Sequence, residues 1–125
     1  MPNDTPNESP IDIVQRQLDA YNARDINAWL NTYSKDATQY ILHGQLLARG
    51  HNDIRARMTS RFAEPDLHAE LVTRISIANI VVDNEIITRN FPTGRGTIEM
   101  LCVYEVVDGL IHKASFASGM IRLGA

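Results

Sequence analysis

The sequence predicts an α+β fold in which a curved antiparallel sheet wraps around three N-terminal helices. Apolar residues recur at three- and four-residue intervals in the first half of the chain, which is typical of amphipathic helices. From Leu67 onward they alternate with polar residues, which is typical of β-strands. With 125 residues, the chain has room for one core. We therefore expect one domain over residues 10–125, preceded by a flexible, polar and proline-rich tail over residues 1–9.

Three helices are predicted from their start and stop signals. Ser9 is a suitable N-cap and Pro10 suits the first helical position. Asp25 can cap a short second helix, whose buried side would include Trp29 and Tyr33. A third helix, capped by His51 or Asn52, would carry an apolar stripe and end before a proline. The stripe and the proline are Ile54, Met58, Phe62 and Pro65.

The strands are predicted from alternation and from turn residues. A short strand is expected over 37–42 and another extended segment over 45–49. A long strand over 67–77 would place its odd-numbered residues on one face. Further strands are expected over 80–91, 98–107 and 110–118, and Asp108-Gly109 is a hairpin signal between the last two. The helices precede a long antiparallel meander in the chain, and this order predicts that they cover one face of the sheet.

Composition excludes several classes of function. A net charge of −3 gives no basic surface, so we expect no nucleic-acid partner. No apolar run approaches the ~18 residues of a membrane span, so we expect no membrane partner. The single cysteine, Cys102, fits a reducing compartment, and we expect a cytoplasmic protein. The four histidines are scattered, and no glycine-rich loop follows a strand. We therefore expect no metal and no cofactor.

Several short segments, taken with the order of elements, resemble the nuclear transport factor 2-like superfamily, in its ketosteroid isomerase and SnoaL-like branch. The resemblance covers about residues 10–118, and its segments are Ile13-Val14-Gln15-Arg16, Tyr21-Asn22-Ala23-Arg24-Asp25, Asp36-Ala37-Thr38, Gly50 with Asp53-Ile54-Arg55, and Tyr104-Glu105-Val106-Val107-Asp108-Gly109-Leu110-Ile111. It implies a cone-shaped fold with a deep apolar pocket, commonly in a homodimer. Some members isomerise, cyclise, dehydrate or hydrate small hydrophobic substrates, and many only bind.

The usual catalytic set of ketosteroid isomerase does not carry over. By the resemblance, the aspartate base falls at Ile41, the tyrosine donor at Gln17 and the neutral acid at Cys102. All three residue types differ, so we do not expect a steroid isomerase that works by the familiar route.

A substitute set of catalytic and ligand-binding residues is conceivable. His43 lies two residues after Ile41 and would share its strand face, so it is the candidate base, with Tyr21 as the second catalytic candidate. The alternatives are that His43 is a surface loop residue and that Tyr21 is a core residue. The candidate ligand-binding residues are Gln17, Trp29, Tyr40, Cys102 and Tyr104. The alternative is that Trp29 and Cys102 are ordinary core residues.

Asp83 and Glu85 form a second carboxylate motif. Their two-residue spacing places them on one face of a regular strand, with Arg89 on the same face. Paired carboxylates can perform acid–base chemistry. A solvated face or a β-bulge is the alternative interpretation of this spacing.

The other face of the late sheet carries Leu101, Val103 and Val107, which need cover, so a homodimer through this outer face is expected. Three functions stay open. The first is a cofactor-independent isomerase, cyclase or dehydratase acting on a small hydrophobic molecule by proton transfer. The second is a non-catalytic binding module for such a molecule, and the third is a dimerisation domain.

Overall fold

The computed structural model describes residues 8–124, which form three helices and a six-stranded sheet. The helices are α1 (Pro10–Asn22), α2 (Ile26–Leu30) and α3 (Gly50–Phe62). The strands are β1 (Tyr33–Ile41), β2 (Leu46–Arg49), β3 (His68–Ile77), β4 (Ile80–Phe91), β5 (Gly94–Val107) and β6 (Leu110–Leu123). The predicted tail falls largely on residues 1–7, which lie outside the described residues.

The sheet order is β2-β1-β6-β5-β4-β3. Adjacent strands of the described chain pair antiparallel, apart from the parallel pair β1–β6. The sheet is curved and unclosed, and the helices cover its inner side. This confirms the predicted α+β cone. Among residues 8–124, no helix is long and apolar enough to cross a membrane.

The local signals for the first two helices acted as expected. Ser9 and Asp12 form a capping box at the start of α1, and the Asp25 carboxylate accepts from the Ala28 amide at the start of α2. The cap of α3 differs from the prediction. Its N-cap is Arg49, whose own amide donates to the Asp53 carboxylate, so neither His51 nor Asn52 caps the helix.

The hairpin between β5 and β6 also matches its sequence signal. Asp108 and Gly109 adopt φ angles of 52° and 78°, the left-handed conformation that a tight two-residue turn requires. Beyond the turn, β6 runs on to Leu123 rather than ending at Ser118, so most of the C-terminal segment is strand.

A β-bulge in β3 overturns the predicted alternation of that strand. Leu71 pairs with Glu85 and Thr73 with Asn84, so Val72 is an extra residue in the ladder. One inserted residue exchanges the two faces for the rest of the strand. Arg74 therefore turns inward, while Ile75 and Ile77 turn outward.

The core is built where the helices meet the inner sheet face. Aromatic rings fill its centre: Trp29 lies 4.8 Å from Tyr33 and 5.2 Å from Phe62, and Tyr21 packs edge-on to Phe62 at 5.4 Å between ring centroids. Tyr33 belongs to β1 and not to the second helix as predicted, because the helix ends at Leu30. This packing leaves a cavity between the helices and strands β4, β5 and β6.

Candidate functional site

A cavity of about 240 Å³ opens between the three helices and the inner face of the sheet. Its apolar wall comes mainly from the sheet and includes Ile87, Ile98, Met100 and Phe116. The polar side chains that also face it are Gln17, Tyr21, Trp29, Tyr33, Gln39, Arg57, Arg61, Glu85, Arg89, Cys102, Tyr104 and Ser118. An apolar cavity with a few convergent polar groups is the usual form of a small-molecule site.

Five of the predicted site residues lie in this wall. Gln17 and Tyr21 are four residues apart on α1, so both point to the same side of the helix. Trp29 reaches the cavity from α2. Cys102 and Tyr104 alternate inward on β5.

The structure places two predicted residues outside the cavity. The chain leaves β1 after Ile41, so His43 sits in the following turn at φ 57°, exposed to solvent, and the strand-parity argument does not apply to it. Tyr40 follows the inward Gln39 and so points to the outer face, where the Lys113 ammonium lies 5.0 Å from its ring centroid. Neither His43, the candidate base, nor Tyr40, a candidate ligand-binding residue, is among the residues that line the cavity.

The carboxylates of β4 are buried, and the alternative of a solvated face is wrong. Asp83 is fully buried and Glu85 is 4% exposed. Arg74 clamps Asp83 through two hydrogen bonds, Nε to Oδ1 at 2.7 Å and Nη2 to Oδ2 at 2.9 Å. The bulge in β3 makes this pair possible because it turns Arg74 inward. A buried carboxylate needs such a partner to remain ionised.

Glu85 is the carboxyl group that lines the cavity from the sheet. Burial, followed by the charge of Asp83, raises the pKa of Glu85 from 4.5 to about 7. The Cys102 thiol donates weakly to its Oε1 at 3.8 Å. Its Oε2 is buried and has no hydrogen-bond partner among the described residues. A carboxyl group with a pKa near neutrality and a free oxygen can both take and return a proton.

The other ionisable groups of the wall keep their protons. Burial raises the pKa of Tyr21 to about 12, an effect that Arg61 partly offsets. Burial also raises the pKa of the Tyr33 and Tyr104 hydroxyls and of the Cys102 thiol. Cys102 is therefore a protonated thiol rather than a nucleophilic thiolate, and the tyrosines are hydrogen-bond donors.

Several buried polar atoms of the wall lack a partner. In the described part of the chain these are Gln17 Oε1, Trp29 Nε1, Tyr33 Oη, Gln39 Nε2 and Glu85 Oε2. Buried polar groups are normally paired, so a cluster of unpaired ones around one cavity points to a ligand or to ordered water.

Arginines from α3 and β4 add positive charge to the wall. Arg89 binds Glu64 through both carboxylate oxygens, with its Nη2 at 2.7 Å from Oε2. Arg61 lies 3.8 Å from the same carboxylate. Arg57 instead donates to Gln39 Oε1 at 2.7 Å, and no carboxylate among residues 8–124 pairs with it.

Sequence reasoning had one signal for Glu85, the alternation of Asp83 and Glu85 with the apolar residues of β4. The same signal is also typical of a solvent-exposed face, because unpaired carboxylates are rarely buried. Tyr33, Gln39 and Arg57 had no comparable signal, since their common cavity depends on the packing of α3 over β1. No cluster of three potential metal ligands occurs within the described residues.

Comparison with known proteins places this site in a recognisable domain. The model of the SnoaL-like domain matches residues 14–114. A comparison with curated protein sequences returns no match.

Solved structures share the fold at low sequence identity. An uncharacterised cystatin-fold protein from Novosphingobium aromaticivorans superposes with a TM-score of 0.81 at 21% identity, over 89% of this chain and 99% of that one. AclR, a putative hydroxylase from Streptomyces galilaeus, gives 0.75 at 18% identity, over 89% and 79%. RV0760c from Mycobacterium tuberculosis, in complex with estradiol-17beta-hemisuccinate, gives 0.76 at 17% identity, over 90% and 96%.

Proposed function

The chain belongs to the SnoaL-like family, and from this premise we propose that it is a cofactor-independent enzyme that moves a proton on a small hydrophobic carbonyl compound. Glu85 is the base in this proposal, in the role that His43 cannot take. The observation that carries the proposal is a carboxyl group with a pKa of about 7 and an unpaired, buried oxygen, on a residue that lines the cavity.

The proposed reaction begins with Glu85 ionised. Its carboxylate takes a proton from the carbon next to the carbonyl, so a C–H bond breaks and an O–H bond forms on Glu85. The electron pair of the C–H bond moves into an enolate, whose charge lies largely on oxygen. Return of this proton to a conjugated carbon completes an isomerisation. If the proton on Glu85 first exchanges with solvent, return of a solvent-derived proton to the same carbon completes an exchange, and neither outcome changes the number of atoms or electrons.

Neutral hydrogen-bond donors suit such a reaction. The raised pKa values of Tyr21 and Tyr33 keep both hydroxyls protonated at neutral pH, so they donate to developing charge and do not compete for the proton. The Tyr33 hydroxyl is buried and unpaired within the described chain, and Tyr33 is one of the residues that line the cavity. The apolar part of the wall lowers the local dielectric constant, which strengthens each of these interactions.

The size and chemistry of the cavity support a small hydrophobic substrate. Its volume equals about eight water molecules at ~30 Å³ each. It is below the ~300–1,000 Å³ of pockets for drug-sized ligands. A structural neighbour from Mycobacterium tuberculosis holds a steroid ester. The cavity of about 240 Å³ in this chain favours a molecule of about one ring.

The experiment is a test of proton exchange in D₂O. A panel of small cyclic enolisable ketones is incubated with the protein, and NMR follows deuterium incorporation next to the carbonyl. We expect catalysed exchange by the native protein and a loss of at least 100-fold in Glu85→Gln, consistent with the contribution of a positioned general base of ~10²–10⁴. Glu70→Gln, on the exposed side of β3, is the matched control and should retain the rate.

Two outcomes oppose the proposal. Equal exchange by the native protein and Glu85→Gln would remove Glu85 from the reaction. Ketone binding without any catalysed exchange would favour the non-catalytic binding module.

We also propose that two copies pair through the outer face of the sheet. Ile75, Ile86, Leu101 and Val107 are 62%, 39%, 37% and 42% exposed on that side. The bulge in β3 extends the apolar surface by turning Ile75 outward. Covering these side chains by a second copy would remove them from water.

A further inference from the structure

Arg57 differs from the other arginines that approach the interior. Arg74 and Arg89 are each held by a carboxylate, at 2.7 Å in both cases. Arg57 is half-buried, lies 5.8 Å from the Phe116 ring centroid and has Gln39 as its hydrogen-bond acceptor. A half-buried guanidinium without a carboxylate partner in the described chain is a costly arrangement unless an anion completes it.

The contact with Arg57 also orients Gln39. A guanidinium can only donate, so it must contact the oxygen of the Gln39 amide, and the NH₂ group is thereby directed elsewhere. Gln39 is fully buried, and its Nε2 has no acceptor among the described residues. The Tyr33 hydroxyl, also buried and unpaired, lies in the same wall. Three donor groups without an anionic partner therefore line this side of the cavity.

These donors lie opposite Glu85. Glu85 projects from β4, whereas Arg57 lies over Phe116 of β6, so two strand spacings of ~4.8 Å separate their positions along the sheet. Their side chains both line the same cavity, whose volume of about 240 Å³ suits a molecule of about one ring. A molecule in that space presents one end to the carboxyl group and the other to the donors.

Resting on the proposed function, we propose that Arg57, Gln39 and Tyr33 form an oxyanion-binding site. The substrate class is then a carbonyl compound of about one ring whose oxygen becomes anionic as Glu85 takes the proton. Proton transfer moves one negative charge from Glu85 to the substrate oxygen, beside the uncompensated guanidinium. Preorganised donors aimed at developing charge are an effective source of transition-state stabilisation.

Two oxyanions of similar size test the site in the absence of turnover. One is 4-nitrophenol, whose ionised form absorbs visible light and resembles an enolate, and the other is benzoate. Both are titrated into protein carrying Glu85→Gln, so that an ionised Glu85 carboxylate cannot repel the anion. We expect bound 4-nitrophenol to stay ionised at lower pH than the free compound. Binding of benzoate but not of the phenolate would support the anion-binding site but reject its assignment to a carbonyl oxygen that becomes an enolate, and would favour a carboxylate-bearing molecule.

Arg57→Gln in the same background should weaken phenolate binding by about 10- to 100-fold, the range for a charged hydrogen bond. Arg57→Lys keeps the charge and should retain part of the affinity, which separates loss of the site from loss of the fold. Arg55→Gln is the matched control, because Arg55 is exposed on the same helix and bonds Asn27 instead. Phenolate affinity that is equal in the Arg57→Gln and Arg55→Gln proteins would overturn the proposal.

The outcomes also separate this inference from the proposed function. Phenolate binding that depends on Arg57, without deuterium exchange by the native protein, would keep the oxyanion site and reject the enzyme. Deuterium exchange that needs Glu85 but proceeds equally in Arg57→Gln would keep the enzyme and reject the oxyanion site.

Discussion

Replacement of Glu85 by glutamine should make the protein more stable at alkaline pH. The unfolded chain loses the Glu85 proton near pH 4.5, whereas the folded protein keeps it to about pH 7. Between these values the unfolded state binds fewer protons, so the free energy of unfolding falls as pH rises, and it levels off above pH 7. The difference between the two pKa values corresponds to about 3 kcal/mol. Glutamine cannot ionise and avoids this cost.

The assay is urea denaturation of the native protein and Glu85→Gln from pH 4 to pH 9. At pH 4 the two should be nearly equal in stability, because Glu85 is protonated in both the folded and unfolded states. At pH 8 the variant should be more stable by up to about 3 kcal/mol, or roughly 10 °C in Tm. Glu70→Gln is the control and should show no such dependence.

The opposite result would refute the reasoning. If Glu85→Gln is no more stable than the native protein at pH 8, then Glu85 is not held in an environment that disfavours its charge. A gain in stability at the expense of activity is the usual signature of a functional buried carboxyl group.

Four further predictions concern the same cavity and the outer face. Asp83→Asn removes the charge that raises the pKa of Glu85, so the pH midpoint of deuterium exchange should fall below 7, and an unchanged midpoint would contradict the coupling. Tyr33→Phe deletes an unpaired buried hydroxyl, so thermal melts should show no loss of stability while exchange slows; a marked loss would mean that the hydroxyl is paired. Cys102 should resist iodoacetamide at pH 8 in the folded protein and react fully in urea, and rapid labelling of the folded protein would be inconsistent with a buried thiol. Leu101→Glu should convert a dimer into a monomer in sedimentation, and a monomeric native protein would reject the pairing.

The fold was largely predictable because local signals agreed with the global pattern. Local interactions within a few residues determine three of these features, so they can be predicted from the sequence alone. They are the Ser9 cap, the Asp25 cap and the Asp108-Gly109 turn. The bulge at Val72 was not predictable from alternation. The bulge allows Arg74 to pair with Asp83 on the neighbouring strand. No local sequence signal indicates a contact between two residues that lie nine positions apart.

The candidate site was only partly predictable. Tyr21 follows from helix periodicity, Cys102 and Tyr104 follow from strand alternation, and Gln17 follows from the family resemblance. The prediction for His43 failed because strand parity was extended two residues past the end of β1, which is Ile41. The burial of Glu85 was not predicted, because a carboxyl group usually prefers solvent. Functional sites are the places where residues depart from such preferences.

The most direct test of the central claim needs no knowledge of the substrate. In protein labelled with ¹³C at glutamate side chains, the Glu85 resonance is assigned by its absence from Glu85→Gln and followed through a pH titration. We expect the Glu85 titration to have its midpoint at about pH 7 in the free protein. A midpoint near 4.5 would contradict this expectation, because Glu85 would then be an ordinary surface-like carboxylate and the cavity would lack its proposed base.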